Sequence, residues 1–546
     1  MADGKERLQL TRALASRHIF MLSLGGVIGT GLFMGSGVTI NQGGPAGAVL
    51  AYLVAGVLMY LVMVCLGELS VQMPVSGSFQ AHATRFIGPA TGFMIGWVYW
   101  MSWASTVGLE FTAAGMLMTR WFPEVPVWLW SGFFVVVLFS LNALATRAFG
   151  EAEYWFAGIK VAAILVFIVV GGLVIFGGIE LKSGAPAPMF SNLVGERLFP
   201  NGLSAVFAVM MTVVYAFQGC EIMGVAAGET ERPEKSIPRA VRNVVFRVLI
   251  FYVLAIVVLS AIIPWQQAGL MESPFVQVFD MVGIPYAADL MNFVILTAIL
   301  SVGNSGLYAS TRILWAMSRT GMAPRGLSKL SARGVPLYAL LITLCFALLS
   351  LLTSVVAADT LFMVLMAVSG MSGTVTWIVI AYAQYRFRRE YMASGGTVAE
   401  LKYAAPLFPL VPLACIAVCC SLFVFLALDP TQRPSLYWGF GFIAGSRRDW
   451  ATPPWDGPAE RPFAGPDARR IRRAFSFSPG WFVRSCNSRL ARAFAAFRRI
   501  AWRVALRLPQ GRYIHPNGWI VVLLNECLVL PESRDRHQPT IRTRAA

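Results

Sequence analysis

Four charged residues lie within or at the end of apolar stretches, where an ionised side chain is costly: Glu68, Glu110, Lys160 and Glu221. A charge at the centre of a bilayer costs about 2.5 to 3.5 kcal/mol on the insertion scale, so such residues usually face a polar cavity or a partner. Glu68 lies near the inner interface, where the simpler interpretation is that it faces water. For Lys160 the simpler interpretation is that its side chain reaches back toward the cytoplasm. Glu110 and Glu221 have apolar sequence on both sides, so both are candidate functional carboxylates.

The composition indicates that these charges belong to a membrane protein. Of the 546 residues, 57% are hydrophobic and 13% are charged, against roughly 45 to 50% and 25% in soluble domains. Apolar runs long enough to cross a hydrocarbon core of about 30 Å recur along the first four fifths of the chain. We expect eleven spans, with a twelfth beginning at Leu436, at 19–40, 46–71, 86–118, 126–145, 154–178, 203–227, 243–264, 290–317, 336–356, 360–384 and 406–428.

The distribution of Lys and Arg predicts the orientation, because positive charge is retained on the cytoplasmic side. With the N-terminus inside, the outer loops hold Arg120, Lys182, Arg197 and Arg433, whereas the inner loops hold most of the basic residues that precede residue 446. We therefore expect a multi-pass protein of the cytoplasmic (inner) membrane with a cytoplasmic N-terminus.

Two of the spans are interrupted by glycine. The first contains GGVIGTGLF, from Gly25 to Phe33, and the sixth contains FQGCEIMGVAAGE, from Phe217 to Glu229. Gly costs about 1 kcal/mol relative to Ala inside a helix. Broken helices at corresponding places in two halves are typical of inverted-repeat transporters, in which freed N–H groups bind a carboxylate and freed carbonyls bind a cation. The alternative is close helix packing, for which small residues are also selected in membranes.

Four long motifs are GGVIGTGLF, MPVSGSFQAHATRFIGPATGFMIGW, FGEAEYWFAGIKV and AFQGCEIMGVAAGETERPEKSIPRAV. They resemble the bacterial amino acid transporter family of the amino acid/polyamine/organocation superfamily, and the likeness extends from about residue 8 to about residue 444. Within that family, VPVWLW, ESPFVQVFDMVGIPYAADLMNFVILTAILSVGNSGLYAS and ALDPTQR most resemble S-methylmethionine permeases, and next lysine-specific permeases. The resemblance implies an all-α membrane fold with a 5+5 inverted repeat, broken first and sixth helices, eleven complete spans and a truncated twelfth.

The resemblance also implies roles for particular residues. The first interrupted helix would hold the substrate carboxylate, and the sixth would hold its amino group. Lys160 would stand where sodium-coupled relatives bind a cation, Glu221 would act with it in proton coupling, and Glu110 would be required for transport. A compact ammonium can replace a metal cation against backbone carbonyls. The implied substrate-binding residues are Val27, Ile28, Gly29, Thr30, Gly31, Glu110, Tyr215, Ala216, Gln218 and Gly219.

Two further polar residues, Asn304 and Ser305, lie between Gly303 and Gly306 in the eighth span. They either line the substrate pathway, and are then substrate-binding residues, or make hydrogen bonds to neighbouring helices.

The expected function is the import of S-methylmethionine with protons. The alternatives are a permease for lysine or another amino acid, and a transporter-like sensor that binds an amino acid without accumulating it. S-methylmethionine and lysine both carry a positive side chain, which favours a carboxylate and aromatic faces. Glu110 with Trp103 and Tyr215 would supply both.

No enzymatic chemistry is indicated. The sequence has no Gly-rich phosphate loop and no metal-ligand spacing, and its histidines, His18, His82, His515 and His537, lie at interfaces or in the C-terminal tail. We expect no enzyme activity, no catalytic residue, no metal, no cofactor and no nucleic acid partner. The expected partners are an amino acid, the proton and the lipid bilayer.

Two polar segments stand apart from the spans. GETERPEKSIPRAV, residues 228–241, is either a solvated connector or an inner gate element that pairs with Arg12 or Arg17. The chain then changes character at Ser446, after which it has many Arg residues and no Lys. Such a tail could bind anionic lipid or nucleic acid. We favour translation in a shifted reading frame, because Trp and Pro are scattered through it without periodicity.

The expected organisation therefore has five parts. They are a cytoplasmic N-terminus at 1–18, a first five-helix repeat at 19–178, a second at 203–384, the eleventh helix with the start of the twelfth at 406–445, and the atypical tail at 446–546.

Overall fold

The computed structural model describes residues 14–143, 146–194, 198–269, 273–331 and 333–428. The start of the N-terminal segment, the twelfth span and the Arg-rich tail lie outside these residues. Within the described ranges the chain is helical without β-strands, and its one isolated β-bridge joins Leu14 to Thr230.

Most of the described α-helices follow the apolar runs of the sequence. They are α1 Ser16–Gly25, α2 Thr30–Phe33, α3 Gly35–Gly43, α4 Pro45–Gln72, α5 Ser78–Phe86, α6 Pro89–Met118, α7 Val127–Asn142, α8 Thr146–Ile175, α9 Ser191–Val194, α10 Ser204–Phe217, α11 Ile222–Val225, α12 Pro233–Ile262, α13 Pro274–Val282, α14 Ala287–Arg319, α15 Leu337–Ala393 and α16 Leu410–Leu428. Four of them begin with proline, whose fixed φ suits the first turn and whose missing N–H is not needed there.

Five described helical segments are long and apolar enough to cross a membrane: Pro45–Gln72, Phe149–Ile175, Ser204–Glu229, Ala287–Arg319 and Leu410–Leu428. Shorter apolar helical stretches cover Val127–Asn142, Ile250–Ile262 and Leu337–Leu348. The chain is therefore a multi-pass membrane protein, and the number of eleven spans remains a prediction.

The structure differs from the expected boundaries between the ninth and tenth spans. Instead of ending near residue 356 and restarting near 360, α15 continues as one helix of 57 residues. The stretch from 349 to 364, LSLLTSVVAADTLFMV, contains neither Gly nor Pro. Because these are the residues that most strongly end helices, the local sequence offers no break at that point.

Helix α6 lies at the centre of the packing and contacts α14 and α15 extensively, while α4 packs on α12 and α1 packs on α8. Helix α10 contacts α3, α4 and α15. The two interrupted segments, α1–α2 and α10–α11, are therefore enclosed by the long helices that carry the buried charges.

A buried ion pair ties α4 to α15. Glu68 has no exposed surface and accepts hydrogen bonds from Arg388 Nε at 2.7 Å, from Gln384 Nε2 at 3.1 Å and from the Ala405 N–H at 2.6 Å. The expectation that Glu68 faces water is wrong, because α15 brings a guanidinium from 320 residues away. A buried carboxylate needs such partners.

His82 lies on α5, outside the predicted spans, and makes folding sensitive to acid. It is fully buried, and its Nε2 lies 3.0 Å from the Met73 carbonyl oxygen. Burial lowers the pKa of His82 from 6.5 to about 4, partly offset by that hydrogen bond. The unfolded chain therefore binds more protons than the folded chain between these values, so stability falls as the pH drops from about 6.5 to 4, by up to roughly 3 kcal/mol.

We expect His82→Gln to reduce this acid sensitivity, because the amide can still donate to Met73 and does not titrate. Thermal unfolding in detergent between pH 7 and pH 4.5 measures the difference. Parallel losses of stability in the parent and the variant would show that other groups dominate acid unfolding.

Candidate functional site

The first interrupted helix breaks at its glycines. Helix α1 ends at Gly25, and the chain from Gly26 to Gly29 is non-helical before α2 begins at Thr30. The N–H groups of Leu32 and Phe33 bond to the Gly29 carbonyl oxygen at 3.1 and 3.0 Å. The N–H groups at the very start of α2 precede any intrahelical partner, as at every helix start.

The second interrupted helix breaks between Phe217 and Ile222. Gln218 is extended, and Gly219 has a φ of +109°, a conformation that side chains other than glycine rarely adopt. A Cβ on Gly219 would collide with the Gly26 carbonyl oxygen, so the two breaks lie against each other. A Cβ on Gly31 would likewise collide with the backbone of Ala216. The glycines therefore serve close packing as well as interruption, and the two interpretations of the sequence are compatible.

One cavity lies between the two breaks and α6, and we call it the central cavity. Its volume is about 10 Å³, room for roughly one water molecule, so it must widen to accept an amino acid. Its lining residues are Val27, Gly29, Thr30, Gly31, Trp103, Thr106, Glu110, Tyr215, Gln218 and Val302.

The polar side of the central cavity is centred on Glu110. This residue is 1% exposed and accepts hydrogen bonds from the hydroxyl of Thr30 and from the hydroxyl of Tyr215, the latter at 3.2 Å. Within the described part of the chain, no ion pair of Glu110 with Lys, Arg or His is present. Its carboxyl group therefore has two neutral donors and faces a cavity that also presents Trp103 and Tyr215.

The structure brings together seven of the predicted substrate-binding residues and separates the other five from the cavity. The seven are Val27, Gly29, Thr30, Gly31, Glu110, Tyr215 and Gln218. The five outside the lining are Ile28, Ala216, Gly219, Asn304 and Ser305.

The breaks expose backbone carbonyls that side chains then satisfy. Lys160 is fully buried, and its Nζ donates to the Gly25 carbonyl oxygen at 2.6 Å. The hydroxyl of Tyr252, on α12, lies 2.9 Å from the Val27 carbonyl oxygen and 3.1 Å from that of Ala216. Tyr252 thus bridges both interrupted helices, a role that sequence reasoning missed, because a tyrosine in an apolar run is indistinguishable there from an interfacial residue.

Glu221, the second predicted coupling residue, lies in the break before α11. Its carboxylate oxygens accept the Gly219 N–H at 3.2 and 3.3 Å, and Cys220 Sγ lies 3.4 Å away. It is 1% exposed. The carboxylate thus stabilises the turn that interrupts the helix.

Glu153 is a buried charge that sequence reasoning missed, since the fifth span was placed from residue 154. It is 1% exposed. Its carboxylate accepts hydrogen bonds from Ser301 Oγ and from Asn304 Nδ2, both at 2.7 Å. Asn304 is therefore a helix-bonding residue here. The available signal was the spacing of seven residues between Glu153 and Lys160, which places both on one helix face.

The connector at residues 228–241 contacts the N-terminal segment through its backbone. The Leu14 N–H donates to the Glu229 carbonyl oxygen at 3.1 Å, and the Glu231 N–H donates to the Leu14 carbonyl oxygen at 3.2 Å. The Glu229 side chain is buried and bonds to Tyr308 at 2.8 Å and to Arg312 at 3.1 Å.

The pairing of this connector with Arg17 is not observed, and Arg12 lies outside the described residues. Arg17 instead forms an ion pair with Glu151 of α8. The prediction of the partner is wrong, because α1 packs along α8, the helix that carries Glu151.

Comparisons with known proteins agree with the motifs. The family model described as amino acid permease matches residues 18–443. The chain is 55% identical over 435 residues to the amino-acid permease RocE of Bacillus subtilis (strain 168), covering 80% of this chain and 93% of that protein. It is 52% identical over 432 residues to a putative histidine permease of the same organism (79% and 91% covered). It is 44% identical over 438 residues to the lysine-specific permease LysP of Escherichia coli (strain K12) (79% and 89% covered).

Proposed function

This chain belongs to the amino acid permease family, and we propose that it is a proton-coupled symporter that imports an amino acid across the cytoplasmic (inner) membrane. The observation that carries the proposal is the central cavity, which lies between two interrupted helices and contains the buried carboxyl group of Glu110. In this proposal the first ten predicted membrane spans form a 5+5 inverted repeat, the N-terminus is cytoplasmic, and transport resides in the residues before 446. The family match, which ends at residue 443, supports that limit.

The two breaks would bind the common part of the substrate. The N–H groups at the start of α2, with the Gly29–Gly31 backbone, would bind the carboxylate. Carbonyl groups of the break between α10 and α11 would bind the amino group. Lys160 would carry the coupling proton, with Glu221 holding the second break in shape.

The substrate side chain is proposed to be positively charged. The Glu110 carboxyl group faces the cavity with two hydroxyl donors, so a cationic side chain would supply the counter-charge that a buried carboxylate requires. Trp103 and Tyr215 line the same cavity and would add aromatic faces. S-methylmethionine meets this description, and so do lysine and protonated histidine. Two of the relatives are named as a lysine-specific permease and a putative histidine permease.

The amide of Gln218 distinguishes among these candidates. Its Nε2 donates to Ser102 Oγ at 2.9 Å, and Ser102 Oγ in turn donates to the Ser369 carbonyl oxygen at 3.5 Å. A hydroxyl that donates to a carbonyl must accept from the amide, which fixes the amide orientation. Gln218 Oε1 is then a buried acceptor with no donor among the described residues. An N–H donor would satisfy it, and lysine and histidine side chains have one, whereas a sulfonium has none.

We therefore expect Gln218→Leu to discriminate between substrates. Apparent affinity for lysine or histidine should fall about tenfold, since one charge-assisted hydrogen bond is worth roughly 1.5 kcal/mol or more, while affinity for S-methylmethionine should change little. Competition uptake in proteoliposomes, with labelled substrate and a panel of cationic and neutral amino acids, measures both. Equal losses for all substrates would remove Gln218 from side-chain recognition.

The same assay separates a permease from a sensor. A permease accumulates labelled amino acid when an inward proton gradient is imposed. Binding without accumulation, in protein that is folded and reconstituted, would instead favour the transporter-like sensor.

A further inference from the structure

In the buried cluster around Glu153, the hydrogen bonds determine which amide atoms of Asn142 and Asn304 donate and which accept. Asn142 Nδ2 donates to the Leu138 carbonyl oxygen at 3.1 Å and to Asn304 Oδ1 at 2.6 Å. A carbonyl oxygen can only accept, so the orientation of Asn142 is fixed, and with it that of Asn304. Asn304 Nδ2 must then be the group that faces Glu153 Oε1 at 2.7 Å. Glu153 is therefore held as an acceptor by neutral donors of α14.

Glu153 and Lys160 both lie near the end of α1. They are seven residues apart on α8, about 10 Å along one face. Lys160 Nζ donates to the Gly25 carbonyl oxygen. A Cβ on Gly25 would lie 3.8 Å from Glu153 Oε2 and 2.9 Å from the Cβ of Ala157, between the two charged residues. The last residue of α1 thus accepts a hydrogen bond from Lys160 and lies near the carboxylate of Glu153.

The charged groups that act on Lys160 from the described elements are Glu153 on its own helix and Glu110 on α6. Glu110 lines the central cavity, where a substrate would change its surroundings. Glu153 lies outside that lining, and its partners Ser301 and Asn304 are buried residues of α14. Its charge therefore acts on Lys160 whether or not the cavity is filled.

We propose that Glu153 is the fixed counter-charge of Lys160 and sets the pH range over which the protein transports. It is a positioning residue: it favours the ammonium form of Lys160, which holds the end of α1 through Gly25, and Ser301 and Asn304 hold the carboxylate in place from α14. Protonation of one side chain is thereby linked to three helices, α1, α8 and α14. The inference rests on the proposed proton coupling.

The test is the pH profile of uptake in proteoliposomes for Glu153→Gln, which keeps the shape and removes the charge. Without the carboxylate, the ammonium form needs a higher proton concentration, so the pH at which uptake is half-maximal should move down by about one unit. Glu153→Asp, which restores the charge, should return the profile toward that of the parent. Glu180→Gln removes a charge from an exposed position beyond the end of α8 and should leave the profile unchanged.

A milder variant keeps the test decisive if Glu153→Gln fails to fold. Ser301→Ala removes one of the two donors to the carboxylate and should shift the profile in the same direction by about half a unit. This inference would be overturned, and proton coupling left intact, if the pH profile of Glu153→Gln superimposed on that of the parent. If Glu153→Gln cannot be measured, the same outcome for Ser301→Ala would overturn it. Uptake by the parent that ignores the proton gradient would overturn the proposed coupling and this inference with it.

Discussion

Replacing Lys160 with alanine is expected to reduce accumulation of substrate to the level of protein-free vesicles while part of substrate binding survives. The ammonium is buried and donates to the Gly25 carbonyl oxygen at 2.6 Å, so its removal leaves the end of α1 without the group proposed to carry the proton. Lys160 does not line the central cavity. Binding affinity should therefore fall by about tenfold or less, the value of one lost hydrogen-bonding partner.

Accumulation and binding are measured separately, the first as uptake of labelled substrate driven by a proton gradient and the second by equilibrium binding in detergent. Lys402→Ala is the matched control, because Lys402 is exposed. The parent protein should respond to the proton gradient and ignore sodium. If uptake by the parent followed a sodium gradient, the ammonium of Lys160 would not be the replacement for the cation that sodium-coupled relatives bind.

Placing leucine at Gly29 or Gly31 is expected to abolish substrate binding. A side chain at either position would prevent the substrate carboxylate from reaching the backbone N–H groups. The structure adds a difference between the two positions. A Cβ at Gly31 would collide with the backbone of Ala216, whereas the nearest atoms to a Cβ at Gly29 all belong to the side chain of Val302.

Alanine variants sharpen this test. We expect Gly31→Ala to lose binding and stability together, and Gly29→Ala to remain folded with binding weakened about tenfold or more. Gly132→Ala and Gly158→Ala are controls, because a Cβ at either would meet nothing within 4 Å. Alanine in a helix is favoured over glycine by about 1 kcal/mol, so both controls should be at least as stable as the parent. Normal binding by both leucine variants would leave the glycines with a packing role alone.

Local sequence was sufficient for features that depend on composition and on residues close together in the chain. The apolar runs predicted a helical membrane protein, since burial of a helix in lipid requires apolar side chains along its whole length. The glycines of GGVIGTGLF predicted the place where α1 stops, because they lower helix stability locally. The long motifs predicted the family, which the family match confirms. The substrate, the coupling ion and the repeat symmetry remain proposals.

Partnerships between buried polar groups were decided only by the tertiary structure. Glu68 meets Arg388 from 320 residues away, Glu153 meets Ser301 from 148 residues away, and Arg17 pairs with Glu151 rather than with the connector. A local pattern shows that a charge is buried and must be satisfied, but the choice of partner depends on which helix packs against it. Unsatisfied polar groups are costly in a membrane, and any of several helices could supply the donor. Only the packing of α1, α8 and α14 placed the carboxylate of Glu153 near Gly25, which accepts the hydrogen bond of Lys160.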